Sequence, residues 1–187
     1  MRAMTMWVAA VALAWSAAAS AVEVGGIRLD EKANVGGQEL VLNGAGVRTR
    51  VFIKVYVASL WLPAKASALS GVLAKGPRRV QMNLLRDLSA DQLVNALVDG
   101  LKDNNSEAEL ASVKAQVDQM VATMKAFNEV KEKDVVALDF VDGATKIVLN
   151  GQAKASIPGE AFNAALMKVW LGDKPVQSDL KKAMLGG

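Results

Sequence analysis

The order of strand-like and helix-like segments limits what this chain can fold into. Segments with the β-branched residues and alternating polarity of strands occur at residues 22–24, 38–43, 47–62, 79–85, 135–141 and 145–149. Helix-like segments come in blocks, between residues 89 and 127 and after residue 158. Strands in hairpin-like order with helices inserted in blocks indicate an α+β fold, in which a large antiparallel sheet is covered by helices.

Both helices of the first block carry N-terminal capping signals. Ser89-Ala-Asp-Gln92 and Ser106-Glu-Ala-Glu109 match the capping box, in which the hydroxyl and the later side chain satisfy each other's backbone N–H groups. Further helices are predicted from Pro158 and over residues 178–184. After the second box, apolar residues recur at helical spacing on what we expect to be a single helix with its apolar face in the core: Leu110, Val113, Val117, Met120, Val121, Met124 and Phe127.

A Gly-x-Gly sequence, Gly44-Ala-Gly46, is predicted to form a sharp turn before one long strand over residues 47–62. Arg48 and Tyr56 are eight residues apart on that strand, and an even separation puts two side chains on the same face. A guanidinium and a phenol on one apolar face form a donor pair suited to a carboxylate. We therefore take Arg48 and Tyr56 as the candidate ligand-binding residues. The alternative is a solvated arginine beside a half-buried strand tyrosine.

The composition excludes several classes of chemistry. The sequence has no histidine and no cysteine, so Ser-His, Cys-His and His-metal sites, thiolate ligands and disulfides are all ruled out. With 22 Lys+Arg and 19 Asp+Glu the net charge is +3, and the charges are spread along the chain without the basic block of a nucleic-acid-binding protein. We expect no cofactor, no metal and no nucleic-acid partner.

The first residues have the pattern of a secretory signal peptide. A single charge, Arg2, precedes an apolar run over residues 6–15 and the small-residue site Ala19-Ser-Ala21. This run is too short for a membrane span, which needs about 20 apolar residues, although an uncleaved anchor is the alternative. We expect residues 1–21 to be the signal and residues 22–187 to form one domain, released into the periplasm or secreted.

Several segments, in their order and spacing, resemble the chalcone isomerase-like family, and above all its exported bacterial branch. They are Gly44-Ala-Gly-Val-Arg48, Phe52-Ile-Lys-Val-Tyr-Val-Ala-Ser-Leu-Trp61, the helix pair between Ser89 and Phe127, Ser156-Ile-Pro158, and Leu171-Gly-Asp-Lys-Pro-Val-Gln-Ser-Asp-Leu-Lys181. The resemblance covers most of residues 22–187. It implies an open-faced β-sandwich, with a large antiparallel sheet covered by helices.

The isomerases of that family hold a phenolate with an arginine after the Gly-x-Gly turn while it adds to an enone within the same molecule. By resemblance, Arg48 corresponds to that arginine. The threonine, tyrosine and asparagine that assist the reaction have no match, because their positions fall at Tyr56, near Gln92 and Asp99, and near Val169. The resemblance therefore implies no catalytic residues here, and Gln92 and Asp99 are expected to be polar positions on a helix.

The fatty-acid-binding relatives of the family are more similar at this site. They keep the arginine and a Val-Tyr pair on the following strand, and Arg48 and Val55-Tyr56 match them. This implies a non-catalytic protein that binds a small amphipathic carboxylate such as a fatty acid. The alternatives are an isomerase or intramolecular lyase that uses Arg48 as an electrophilic anchor, and a structural or partner-binding protein without a ligand.

Cleavage after Ala21 is the first testable prediction. Small residues at Ala19 and Ala21 suit the recognition positions of signal peptidase, so the exported protein should begin at Val22. Intact-mass measurement of protein from the periplasm of an expressing cell checks this. A full-length mass recovered in the membrane fraction would show that residues 1–21 are an anchor.

Overall fold

The computed structural model describes residues 21–187. The predicted signal peptide therefore lies outside the described residues, apart from Ala21. The strands are β1 (Ala21–Val24), β2 (Ile27–Asp30), β3 (Lys32–Val35), β4 (Gln38–Arg50), β5 (Ile53–Leu62), β6 (Arg78–Leu84), β7 (Leu88–Ser89), β8 (Glu129–Val130), β9 (Val135–Val141), β10 (Ala144–Leu149) and β11 (Gln152–Pro158). The helices are α1 (Leu69–Val72), α2 (Ala90–Asn104), α3 (Glu107–Ser112), α4 (Lys114–Lys125), α5 (Glu160–Leu171) and α6 (Ser178–Met184).

In the described part of the chain, seven strands form one antiparallel sheet in the order β11-β10-β9-β6-β5-β4-β3. Alternate residues of β5 point to opposite faces: Ala58 and Leu60 pack in a core with the helices, whereas Val57 and Trp61 pack in a second core that includes residues of the β1–β2 hairpin. The prediction of an α+β fold with a helix-covered antiparallel sheet is confirmed. None of the helices within residues 21–187 is long and apolar enough to cross a membrane.

Both predicted capping boxes are present at the starts of α2 and α3. In each, the serine hydroxyl accepts from a backbone N–H three residues later, and that residue's side chain accepts from the serine N–H. The apolar stripe does lie in or against the core. The single helix predicted for it is wrong, because the helix breaks at Val113 (φ −115°, ψ 15°) and resumes as α4.

The predicted turn at Gly44-Ala-Gly46 is wrong. Strand β4 runs through both glycines, and the chain reverses instead at Val51-Phe52. The register of β4 and β5 then pairs Arg48 directly with Tyr56 across two neighbouring strands. They share a face because of this cross-strand pairing, not because they are separated by an even number of residues on one strand.

The two glycines let α6 approach the backbone of β4. A Cβ at Gly44 would overlap the carbonyl oxygen of Ala183, and one at Gly46 would lie 2.9 Å from the Ala183 side chain. The buried amide of Asn43 donates to the carbonyl oxygens of Met184 (2.7 Å) and Ala66 (2.9 Å). Strand β3 pairs with β4 only as far as Val41, so α6 takes over the outer side of β4 from there.

Five strands within residues 21–187 were not predicted. Strands β2 and β3 belong to short hairpins, and β7 and β8 are two-residue strands that pair with each other. Strand β11 occupies a stretch in which Pro158 is predicted to start a helix, but that helix begins at Glu160. The sequence of β11, Gln-Ala-Lys-Ala-Ser-Ile-Pro, is poor in the residues that favour strands. It extends at the edge of the sheet because β10 supplies its hydrogen-bond partners.

Between residues 21 and 187, five two-residue hairpin turns have positive φ at both positions. Four of them use residue types that adopt positive φ readily. These four are Gly25-Gly26, Gly36-Gly37, Asp142-Gly143 and Asn150-Gly151. The fifth, between β4 and β5, has Val51 at φ 46° and Phe52 at φ 66°. A β-branched or bulky residue in this region is strained, at about 1–3 kcal/mol for each position.

The close approach of α6 to β4 predicts a graded effect of added methyl groups. Gly44→Ala should lower the free energy of unfolding by about 3 kcal/mol, because the new Cβ meets backbone atoms that cannot move aside. Gly46→Ala should have a smaller effect, since its neighbours are the side chains of Ala183 and Leu180. Urea unfolding of both variants and the wild type measures this. Equal stability of Gly44→Ala and the wild type would contradict the packing described here.

Candidate ligand-binding site

A cavity of about 270 Å³ lies between the sheet and the helices that cover it. Five strands (β4, β5, β6, β7 and β9) and three helices (α2, α4 and α5) contribute to its wall. The lining residues are Arg48, Arg50, Val51, Ile53, Val55, Tyr56, Met82, Arg86, Leu88, Gln92, Leu93, Ala96, Leu97, Met120, Met124, Leu138, Val169, Trp170 and Val176. Both predicted ligand-binding residues are therefore in the same cavity wall.

The exposure of the lining residues divides the cavity into a mouth and an interior. Exposed residues lie at the β4–β5 turn, after β6 and in the first turns of α2, and they include Arg50, Val51, Arg86 and Gln92. The interior is made of buried apolar side chains: Leu97, Met120, Met124, Leu138, Val169 and Trp170. The cavity thus opens between the β4–β5 turn and the start of α2, and it becomes apolar towards its end.

Arg48 is half-buried, and its guanidinium is positioned by neighbouring chain atoms without being neutralised. Its Nη1 donates to the carbonyl oxygen of Thr49 (2.5 Å) and to Oε1 of Gln177 (3.3 Å). Within residues 21–187 no carboxylate forms an ion pair with Arg48. An arginine has five N–H donors, so most of the Arg48 donors and its full charge remain available.

Gln177 is a positioning residue that sequence reasoning missed. Its Oε1 also accepts from the backbone N–H of Thr49 (2.8 Å), and its Nε2 donates to the carbonyl oxygen of Val47 (3.2 Å). The amide therefore takes the place of a neighbouring strand at the outer side of β4 and touches the guanidinium as well. It lies 129 residues from Arg48, and no local pattern in the sequence could have linked the two.

Tyr56 sits opposite Arg48 and has a defined partner. Its hydroxyl oxygen accepts a hydrogen bond from Nε1 of Trp170 (3.2 Å), which leaves the phenol proton free to be donated. Burial raises the pKa of the Tyr56 phenol above its usual value, while the Trp170 hydrogen bond and the charge of Arg48 act in the opposite direction. Tyr56 therefore stays protonated at neutral pH and remains a donor.

The charged lining residues are all positive. Arg50 and Arg86 lie at the mouth, and no aspartate or glutamate is among the cavity-lining residues of the described chain. Neither of the two forms an ion pair with a residue between positions 21 and 187. The mouth and the polar end of the interior together favour an anion.

Of the other positions considered in the sequence, Gln92 and Val169 line the cavity and Asp99 does not. The Gln92 side chain accepts from the N–H of Ser89 (3.0 Å) as part of the α2 capping box. Val169 is buried in the apolar wall. No group of three or more histidine, cysteine or carboxylate side chains within the described part of the chain could hold a metal ion.

The apolar end of the cavity continues towards a second, smaller space. This space, of about 30 Å³, shares Met82, Leu93, Met120, Met124 and Leu138 with the main cavity. It is closed by Leu84, Phe127, Val136 and Ile147. Because methionine side chains are flexible, Met120 and Met124 could move to join the two spaces when a longer apolar group enters.

Comparison with known proteins identifies the family. A family profile described as chalcone isomerase-like matches residues 21–186. No curated protein sequence shows significant similarity to the chain. Among solved structures, the crystal structure of a fatty-acid binding protein from Arabidopsis thaliana superimposes with a TM-score of 0.68 at 10% sequence identity, covering 89% of this chain and 96% of that one.

At such low identity the structural likeness shows a shared fold and nothing finer, so the ligand of the plant protein is a property of that protein alone. The family profile, by contrast, compares sequence directly, and it matches nearly the whole of the described chain. The chain therefore belongs to the chalcone isomerase-like family.

Proposed function

We propose that this protein binds a small aliphatic carboxylate, such as a fatty acid, without transforming it. One observation carries the proposal: Arg48 and Tyr56, paired across β4 and β5, place two donors beside the apolar interior of a cavity that has no lining carboxylate within residues 21–187. The fatty-acid-binding function of the structural neighbour from Arabidopsis thaliana supports the same choice. The predicted signal peptide adds that binding takes place outside the cytoplasm.

The carboxylate head would lie between the guanidinium of Arg48 and the hydroxyl of Tyr56. Arg48 is held from the side of β4 by Gln177 and the Thr49 carbonyl, so its remaining donors are already oriented before the ligand arrives. The phenol proton of Tyr56 supplies a second donor, because its oxygen already accepts from Trp170. A carboxylate accepts hydrogen bonds from both groups and neutralises the charge of Arg48.

The aliphatic tail would lie under α2 and α4, against Leu97, Met120 and Met124. The volume of about 270 Å³ is just below the usual range for small-molecule sites, which is about 300–1,000 Å³. A medium-length chain fits such a space, and a long chain requires the methionines at its end to rearrange. Burial of each methylene group contributes about 0.8 kcal/mol to binding.

A catalytic role is less well supported by the same residues. Catalysis of a cyclisation needs donors and ordered water aimed at developing charge, in addition to an anchor for an anion. Gln92 is engaged in the capping box of α2, Asp99 lies outside the cavity wall, and Val169 offers no polar atom. Arg48 and Tyr56 can bind and orient a carboxylate, which is all that the proposed function requires.

Substitutions of the head group's partners should weaken carboxylate binding in a fixed order. Arg48→Ala removes a charge-assisted interaction worth about 1.5–3 kcal/mol, so the Kd should rise about tenfold or more. Arg48→Lys keeps the positive charge and loses the planar guanidinium, so its Kd should lie between those of the wild type and Arg48→Ala. Tyr56→Phe should weaken binding by about 1 kcal/mol. Titration calorimetry of delipidated protein with a saturated fatty acid measures all three.

Arg28→Ala is the matched control, because Arg28 is an exposed arginine on β2 that does not line the cavity. It should bind as the wild type does. Wild-type affinity in Arg48→Ala would show that the anchor is misassigned. Rapid turnover of a chalcone by the wild type, abolished by Arg48→Ala, would favour the isomerase instead.

Affinity should depend on the length of the ligand's chain. Each added methylene should strengthen binding about fourfold while it enters the apolar interior, and the gain should stop once the cavity is full. A calorimetric series of saturated fatty acids of increasing length gives this curve. An affinity that is the same for short and medium chains would show that the apolar interior does not hold the tail.

A further inference from the structure

The tip of the β4–β5 hairpin exposes three consecutive apolar side chains. Val51, Phe52 and Ile53 are 78%, 98% and 50% exposed, and together they form what we call the apolar tip. Phe52 packs against almost nothing, so its ring contributes little to the stability of the fold. An exposed aromatic residue flanked by two β-branched residues is typical of a surface that contacts a partner.

The backbone of the same tip is strained. Val51 and Phe52 adopt the positive φ values that Asp142-Gly143 and Asn150-Gly151 adopt in the equivalent turns of the same sheet. An Asn-Gly pair would therefore form this turn without strain, and without any exposed apolar surface. The side chains of Val51 and Phe52 are thus unfavourable in two ways, because they strain the turn and expose apolar surface to water. This combination points to a functional role of the tip.

Basic residues surround the apolar tip. The segment Arg48-Thr-Arg-Val-Phe-Ile-Lys54 contains three cations and no acidic residue. Arg50 and Lys54 are exposed at the two sides of the turn, and exposed Arg86 lies across the cavity mouth. None of these three forms an ion pair with a residue in positions 21–187. An apolar tip with a cationic surround is complementary to an anionic lipid surface.

We propose that the β4–β5 hairpin tip docks this protein on an anionic membrane surface. Phe52 and its two neighbours enter the boundary between lipid headgroups and acyl chains, where aromatic residues are favoured. Arg50, Lys54 and Arg86 contact the phosphates. The mouth of the cavity then faces the lipid, because two tip residues, Val51 and Ile53, and the adjacent Arg50 also line that mouth.

A lipid surface suits this tip better than a protein partner does. A stable protein interface buries about 800 Å² on each side, with a well-packed centre. Three side chains at the end of one hairpin form a narrow projection, which is far from an area of that size. Lipid headgroups can separate around such a projection, and each nearby lysine or arginine strengthens the attraction to anionic lipid.

This proposal does not depend on the identity of the ligand, and a vesicle-binding experiment tests it without one. The exported protein, whose intact mass establishes the cleavage site, is delipidated and co-sedimented with two kinds of vesicle. One kind contains phosphatidylcholine alone, and the other contains phosphatidylglycerol as well. The wild type should bind the anionic vesicles, and high salt should weaken this binding. Phe52→Gly should lower the partition coefficient at least about tenfold, and Phe52→Trp should keep it.

Two charge reversals complete the design. Lys54→Glu, beside the tip, should lower the partition coefficient about fivefold or more. The reason is that each basic residue near an anionic surface contributes about 1 kcal/mol to binding. Lys154→Glu is the matched control, because Lys154 is an exposed lysine on β11 at the opposite edge of the sheet. It should bind as the wild type does. Thermal unfolding should show that Phe52→Gly is at least as stable as the wild type, since glycine suits its φ of 66°.

Several outcomes would overturn the proposal. They are equal binding of Phe52→Gly and the wild type, equal effects of Lys54→Glu and Lys154→Glu, and equal binding to neutral and anionic vesicles. Wild-type protein that ignores vesicles but forms a dimer abolished by Phe52→Gly would instead assign the tip to self-association. A protein that binds vesicles but no carboxylate would keep this proposal while overturning the proposed function.

Discussion

The approach of α6 to the backbone of β4 is the contact on which the site depends. Beyond Val41 the outer side of β4 has no neighbouring strand, so its polar backbone groups require other partners. The helix fits there only because Gly44 and Gly46 have no side chains, and the amide of Asn43 holds its last turn. Gln177, just before α6, then satisfies Val47 and Thr49 and touches Arg48. The packing of one short helix therefore orients the guanidinium.

The polarity of the cavity follows from where the donors are placed along it. Arg48 and Tyr56 face each other on paired strands, and Trp170 from α5 supports the phenol. The apolar residues of α2 and α4 form the opposite end, and under the proposed function this polarity would orient a ligand with one charged and one apolar end. Because Arg48 has no internal carboxylate partner among the described residues, its charge is a fixed attraction for an anion.

The β4–β5 hairpin, which carries Arg48 and Tyr56, also has an unfavourable turn at Val51 and Phe52. Four other turns within residues 21–187 have the same backbone conformation and use glycine, asparagine or aspartate for it. The turn beside the cavity mouth instead combines backbone strain with the exposure of three apolar side chains. In the docking proposed above, this apolar surface with its positive surround would enter anionic lipid, and the hairpin would bring the entrance of the cavity to the membrane.

The sequence by itself determined the elements with strong local signals. The capping boxes at Ser89 and Ser106 located two helices, alternation located β6, β9 and β10, and the order of the elements indicated the fold class. Arg48 and Tyr56 were chosen from the sequence, but for their spacing on one strand. Only the tertiary structure decided that they pair across two strands, because the glycines that suggested a turn serve the packing of α6. Gln177 and Trp170 became visible in the same way, since long-range packing brings them to Arg48 and Tyr56 and local sequence carries no record of it.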